Sequence, residues 1–100
     1  MFVTVGRADD VPEGRMRTFE VGGHKIGVAK AQGNLYAFGD VCTHRGCPLH
    51  RGRLVGTTVT CPCHGSQYDV RTGKVMRGPA TEAEPVFETS IEDGDLKIKV

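Results

Sequence analysis

Apolar and polar residues alternate in short runs along most of the chain, and glycine-containing turns separate these runs. Such alternation predicts strands that bury one face, and no long stretch places apolar residues at helical spacing. We therefore predict an all-β protein. The predicted strands cover residues 2–5, 17–21, 25–31, 35–38, 53–55, 58–60, 88–92 and 96–100.

Short turn signals join neighbouring strands and predict antiparallel hairpins. The second to fourth strands should form a meander, because each is separated from the next by only a few residues. Segments 9–14 and 78–85 are rich in proline, glycine and acidic residues and predict loops. The turn signals are Gly22-Gly23, Gly33-Asn34, Gly56 and Asp93-Gly94.

Length and composition are those of one folded domain, because the chain has 100 residues, 38% of them hydrophobic and 25% charged. No window approaches the roughly 18 consecutive apolar residues of a membrane helix. The N-terminus lacks the pattern of a signal peptide. We therefore expect a cytoplasmic protein without a membrane anchor, and the net charge of +1 argues against nucleic acid as a partner.

Charge is distributed unevenly along the chain. Residues 41–80 contain six basic side chains against Asp69 alone, a net charge of +5, whereas residues 81–100 contain six acidic side chains and two lysines, a net charge of −4. Two solvated surfaces that happen to segregate would explain this pattern. A basic rim around a functional segment would explain it too, and would suit an acidic partner.

The chain contains four cysteines and four histidines, and six of these eight residues form two short groups. Each group follows a predicted strand, so both should be loops. Two loops at the same end of a small sheet can close on one site. His24 and His50 lie outside the pattern, and we expect both at the solvated surface. The groups are Cys42-Thr43-His44-Arg45-Gly46-Cys47 and Cys61-Pro62-Cys63-His64-Gly65-Ser66.

Thiolate together with imidazole suits zinc or an iron–sulfur centre. Zinc sites usually take two ligands spaced two to four residues apart from each half, and Cys42-x-His44 fits that spacing poorly. A zinc-binding interaction module therefore remains as a minor alternative. Cys-x-His followed by Cys-x-x-His, as in Cys61-x-x-His64, is the ligand pattern of Rieske [2Fe–2S] centres.

The two loops resemble those of the Rieske family, closely over about residues 40–80, and Cys47 and Cys63 resemble its higher-potential branch. The resemblance implies a single domain over residues 1–100, an antiparallel sandwich with a small cluster-binding subdomain formed by the two loops. It also implies a disulfide between Cys47 and Cys63. The alternative is a pair of free or buried thiols, since disulfides are uncommon in a reducing cytoplasm.

The resemblance implies one [2Fe–2S] cluster as the cofactor. Cys42 and Cys61 would bind one iron, while His44 and His64 would bind the other through their Nδ1 atoms. Neutral imidazole places less negative charge on iron than thiolate does, which raises the reduction potential. We predict a potential in the upper half of the Rieske range of roughly −150 to +300 mV.

Three further residues have roles implied by the resemblance. Ser66 would donate a hydrogen bond to a bridging sulfide, and Tyr68 would donate one to the Cys42 sulfur, so both would favour the reduced state. Pro79 would belong to a loop that covers the third side of the cluster. The alternatives are ordinary turn and strand residues at all three positions.

The leading hypothesis is a soluble ferredoxin that receives electrons from a reductase and donates them to a terminal oxygenase or a related redox enzyme. It would be a carrier and not an enzyme. An accessory subunit of a larger complex, as in nitrite reductase, is the alternative. Quinol-oxidising Rieske subunits generally have an apolar residue where this chain has Arg45. Docking is expected to use a basic rim consisting of Arg45, Arg51 and Arg77.

Overall fold

A computed structural model describes residues 1–100 and contains eleven strands, two short 3₁₀ turns and no α-helix. The eleven strands contain 49 of the 100 residues, which confirms the all-β prediction. None of the helical segments is long and apolar enough to cross a membrane. The strands are β1 (Phe2–Arg7), β2 (Met16–Val21), β3 (His24–Ala31), β4 (Asn34–Gly39), β5 (Arg53–Val55), β6 (Thr58–Thr60), β7 (Gln67–Asp69), β8 (Val75–Arg77), β9 (Val86–Phe87), β10 (Thr89–Glu92) and β11 (Asp95–Lys99).

The strands form three antiparallel sheets with the orders β1-β11-β10, β2-β3-β4-β9 and β5-β6-β7-β8. Each predicted hairpin is present, and β2, β3 and β4 form the predicted meander. The prediction missed β7, β8 and β9, which contain only two or three residues each. Segment 78–85 is a loop as expected, whereas the predicted loop at 9–14 overlaps a 3₁₀ turn, Ala8–Asp10.

Strand β3 is buried on both faces and so joins two hydrophobic cores. Val28 belongs to the core between the first two sheets, and its neighbour Ala29 belongs to the core beneath the β5–β8 sheet. Alternation along a strand sends successive side chains to opposite faces. Gly27 pairs with Phe38, and a Cβ atom at Gly27 would lie 2.7 Å from the Phe38 ring. The absence of a side chain at Gly27 therefore allows Phe38 to pack over β3.

The core beneath the β5–β8 sheet positions the two cysteine-containing loops. It includes Cys42, Cys61 and Tyr68 together with apolar residues such as Leu49 and Val59, which are fully buried. Each loop therefore begins on a side chain that is embedded in the core. Burial restricts the positions of both cysteines before any cofactor is considered.

Candidate metal centre

The first loop closes as a turn between Cys42 and Cys47. The Cys42 N–H donates to the Cys47 carbonyl over 2.9 Å, and the Gly46 N–H donates to the Cys42 carbonyl over 2.7 Å. Gly46 has a φ of +76°, which residues with a side chain rarely adopt. Backbone N–H groups of His44 and Arg45 hydrogen-bond to the Cys42 sulfur. The turn therefore surrounds one sulfur with donors and carries one imidazole.

The second loop repeats this geometry. The Cys61 N–H donates to the Ser66 carbonyl over 2.7 Å, the Gly65 N–H donates to the Cys61 carbonyl over 3.3 Å, and Gly65 has a φ of +80°. Backbone N–H groups of Cys63 and His64 hydrogen-bond to the Cys61 sulfur. A glycine four residues after each buried cysteine is therefore part of the site. This signal is visible in the sequence, and the prediction did not use it.

The side chains predicted as ligands lie in two neighbouring pairs, the cysteines Cys42 and Cys61 and the histidines His44 and His64. Cys42 and Cys61 are free, buried thiols, and each affects the pKa of the other. The rings of His44 and His64 are nearly perpendicular, with centroids 5.1 Å apart. His44 Nδ1 is buried and has no hydrogen-bond partner, an arrangement that costs about 1–3 kcal/mol unless another group binds the atom. Two thiols and an unpartnered imidazole nitrogen fit a metal centre.

The two buried thiols differ in acidity. Burial disfavours the ionised form of both. At Cys42, hydrogen bonds from the Tyr68 hydroxyl and from backbone N–H groups of the loop outweigh burial, so the pKa is lowered. At Cys61, burial dominates and raises the pKa. Metal binding would stabilise both thiolates.

A disulfide between Cys47 and Cys63 links the two loops, with their Cα atoms 6.4 Å apart. This confirms the predicted bridge. The sulfur of Cys61 lies within 4.8 Å of both bridged sulfurs, so the disulfide adjoins the candidate ligands. Cys63 is exposed and Cys47 is half-buried. The bridge therefore covers the site on its solvent side.

Ser66 and Tyr68 lie beneath the loops and are almost completely buried. The Tyr68 hydroxyl lies 3.3 Å from the Cys42 sulfur. Burial and the neighbouring Cys42 raise the pKa of Tyr68 to about 12, so its hydroxyl stays protonated at neutral pH. Ser66 Oγ accepts a hydrogen bond from the Ala80 N–H over 3.0 Å, so the hydroxyl proton of Ser66 remains free to be donated. The same hydrogen bond connects the Pro79 loop to the second loop.

The prediction for His50 is wrong, because this residue is not a solvated surface histidine. Its Nδ1 lies 2.5 Å from Oδ2 of Asp40, and its backbone N–H donates to Oδ1 of Asp40 over 2.7 Å. Asp40 is buried and the His50 side chain is 24% exposed. Both contacts join the ring and the backbone of His50 to the same Asp40 carboxyl group. The pair anchors the end of the first loop. His24 is exposed as predicted.

Glu84 is a second buried carboxyl that the sequence did not reveal. It is 5% exposed, and its Oε2 accepts a hydrogen bond from the Thr43 N–H over 3.0 Å. Burial raises its pKa to about 7, and the nearby Asp40 carboxyl contributes in the same direction, whereas the Thr43 N–H opposes the shift. Glu84 therefore supports the first loop between its cysteine and its histidine.

Replacing Glu84 with glutamine should change how stability depends on pH. A folded-state pKa above the ordinary value of 4.5 means that folding favours the protonated form. The stabilisation that Glu84 contributes to folding is fully present below about pH 4.5 and is lost as pH rises through about 7. The pKa shift of Glu84 corresponds to roughly 3 kcal/mol of this stabilisation. Denaturant midpoints measured across this range should fall for the native protein and much less for Glu84→Gln. Exposed Glu82→Gln is the control, and parallel curves for all three proteins would contradict the prediction.

The fold and the paired Cys/His loops define an iron–sulfur protein with mixed ligation. The chain matches the Rieske [2Fe–2S] domain model over residues 1–90. It is 33% identical over 92 residues to the ferredoxin component of the naphthalene 1,2-dioxygenase/salicylate 5-hydroxylase systems of Ralstonia sp, covering 92% of this chain and 88% of that protein. The chain belongs to the Rieske [2Fe–2S] family, which indicates one [2Fe–2S] cluster as its cofactor.

Two other similarities extend this comparison. The chain is 33% identical to the cytochrome b6-f complex iron-sulfur subunit of Chlorobaculum tepidum; the match covers 98% of this chain and about half (53%) of that protein. A chain in the complex of reduced oxygenase and oxidized ferredoxin in carbazole 1,9a-dioxygenase superposes with a TM-score of 0.90 and 32% identity, covering 97% of this chain and 91% of that one. The match therefore extends over most of the length of a relative that is named as a ferredoxin component.

Proposed function

We propose that this protein is a one-electron carrier that donates electrons from a Rieske [2Fe–2S] cluster to an oxygenase or a related redox enzyme. The observation that carries the proposal is the convergence of two matching loops on two buried thiols and two imidazoles, one with an unpartnered Nδ1. Cys42 and Cys61 would bind one iron, and His44 and His64 would bind the other. Residues 1–100 act as one domain, with the cluster-binding residues within about 40–80.

The relatives support this choice of partner. The match covers 88% of a protein named as the ferredoxin component of dioxygenase and hydroxylase systems. A similar chain occurs in a complex of oxygenase and ferredoxin. We propose by analogy that a reductase supplies the electrons, that a terminal oxygenase receives them, and that the exchange takes place in the cytoplasm. The protein is then a carrier, and the chemistry on the substrate belongs to its partner.

Hydrogen bonds would adjust the potential in this proposal. With the cluster bound, the free proton of Ser66 could be donated to a bridging sulfide, and the Tyr68 hydroxyl, 3.3 Å from the Cys42 sulfur, would share its proton with that sulfur, so both would stabilise the negative charge that reduction adds. Pro79 belongs to the loop that excludes water from one side of the cluster. Together these features favour the upper half of the Rieske range.

Optical and EPR spectra before and after dithionite test the proposed function. The purified protein should be red-brown, should contain two iron and two sulfide per chain as the cluster formula requires, and should show a rhombic EPR signal when reduced. The signal should have the average g value of mixed His/Cys ligation. A colourless, EPR-silent protein that stays so after anaerobic reconstitution with iron and sulfide, and that binds one zinc, would contradict the proposal.

Docking on the electron acceptor should depend on salt. The side chains of the basic rim, Arg45, Arg51 and Arg77, are exposed, and none forms an ion pair. Electrostatic steering by such charges raises association rates and is screened as the Debye length shortens. The triple glutamine variant should transfer electrons to its acceptor about tenfold more slowly at low ionic strength. Lys99→Gln, on the exposed end of β11, is the matched control, and salt-independent rates would contradict the prediction.

A further inference from the structure

The Thr43 side chain lies between the predicted ligands Cys42 and His44 in sequence, and it touches two other parts of the site. Its Oγ1 lies 2.7 Å from the carbonyl oxygen of Glu82 and 2.9 Å from the Tyr68 hydroxyl. Its backbone N–H donates to Glu84 over 3.0 Å and also approaches the Tyr68 oxygen at 3.3 Å. Thr43 therefore connects the first loop, the Tyr68 hydroxyl and segment 78–85.

Counting protons shows which way these hydrogen bonds run. The Glu82 carbonyl has no proton and can only accept, so the single Thr43 hydroxyl proton is used in the 2.7 Å contact. Thr43 Oγ1 can then only accept at its 2.9 Å contact with Tyr68. The Tyr68 hydroxyl is therefore the only group that can donate in this contact, and its oxygen accepts from the Thr43 N–H.

The Cys42 sulfur depends on the same Tyr68 proton. It lies 3.3 Å from the Tyr68 oxygen and would be the acceptor if Thr43 were absent. One O–H group cannot make two linear hydrogen bonds, so each acceptor weakens the bond to the other. Tyr68 is the only hydroxyl that hydrogen-bonds to this sulfur, since the other backbone donors are the N–H groups of His44 and Arg45.

We propose that Thr43 lowers the reduction potential of the cluster by competing with the Cys42 sulfur for the single Tyr68 hydroxyl proton. Thr43 is a positioning residue in this inference, which rests on the proposed function because it needs a cluster on Cys42. Glu82 and Glu84 fix its orientation, because they accept its hydroxyl and backbone protons respectively. Segment 78–85 thus influences the cluster through Thr43.

The test measures the reduction potential of cluster-loaded variants by redox titration monitored by EPR. Thr43→Val removes the hydroxyl and keeps the branched shape and the backbone N–H. Tyr68 is then free to donate to the sulfur, and the equilibrium constant for reduction should rise about three- to tenfold; a tenfold rise corresponds to about 59 mV for one electron. Thr43→Ser retains the hydroxyl and should keep a potential close to that of the native protein.

A double-mutant comparison separates competition from a general disturbance of the loop. In a Tyr68→Phe background there is no proton to compete for, so Thr43→Val should leave the potential unchanged. An unchanged or lower potential for Thr43→Val with Tyr68 present would overturn the inference. An equal rise in both backgrounds would overturn it too.

An independent comparison applies even if Thr43→Val fails to take up the cluster. Ser66 has its own proton free, whereas the Tyr68 proton is shared, so Tyr68→Phe should lower the potential less than Ser66→Ala does. If Tyr68→Phe lowered the reduction potential as much as Ser66→Ala does, the inference would be overturned. If the native protein shows the mixed-ligand EPR signal but the potentials of the variants do not follow these expectations, only the inference about Thr43 is contradicted. A native protein without that signal would contradict the proposed function instead.

Discussion

His64→Ala is expected to lose the [2Fe–2S] cluster. The proposed ligands supply two sulfur and two nitrogen atoms, and the rings of His64 and His44 lie with centroids 5.1 Å apart. The other two histidines contact Phe87 and Asp40 instead. Alanine offers no donor atom, so the second iron would keep one protein ligand and be exposed to solvent. Iron content should fall from about two per chain to a small fraction of that value, and the visible absorption and the EPR signal should disappear.

His24→Ala is the matched control for this prediction. Both residues are exposed histidines, and His24 packs against Phe87 with ring centroids 6.2 Å apart, away from the predicted ligands. The control should keep its iron, sulfide and EPR signal. A His64→Ala protein with full iron content and an unchanged spectrum would show that His64 is not a ligand.

Removing the disulfide is expected to produce the largest loss of stability. The bridge joins residues separated by 16 positions, and cross-linking a loop of that length stabilises a protein by about 3 kcal/mol through restriction of the unfolded chain. For a chain of 100 residues this corresponds to a fall in Tm of about 12–24 °C. Thermal unfolding of the double variant Cys47→Ser with Cys63→Ser, followed by circular dichroism, measures this difference.

The disulfide variant should also release its iron sooner on heating, because the two loops would no longer be covalently joined on the solvent side of the site. The native protein treated with a strong thiol reductant serves as the control, since it breaks the same bond without altering either side chain's volume. Agreement between reduced native protein and the double variant would assign the effect to the bond. A Tm unchanged in both would contradict the prediction.

The strands that the sequence predicted are those with local signals. Strands β5 and β6 have the predicted bounds, and β11 follows the predicted Asp93-Gly94 turn. Alternation over several residues and a two-residue turn are encoded within one short stretch of chain. Strands β7, β8 and β9 lack such a signal. They form because neighbouring strands offer backbone partners, as when β9 pairs with β4.

The candidate ligands of the site were predictable because they lie close together in the sequence. The types and spacing of Cys42, His44, Cys61 and His64 indicated the ligand set, and the resemblance to a known family implied the Cys47–Cys63 bridge that the structure contains. Glycines 46 and 65 were visible as well, as the fourth residue after each buried cysteine. The similarity between the two turns could therefore have been inferred from the sequence.

The sequence by itself determined the strand-rich character of this protein and the set of candidate donor atoms, because both depend on residue types within short segments. Only the tertiary structure decided which polar groups are buried together. Asp40 meets His50 across 10 residues, and Thr43 meets Glu84 across 41. Such pairs depend on how the sheets and loops pack, and their hydrogen bonds gain importance only when burial removes water as an alternative partner.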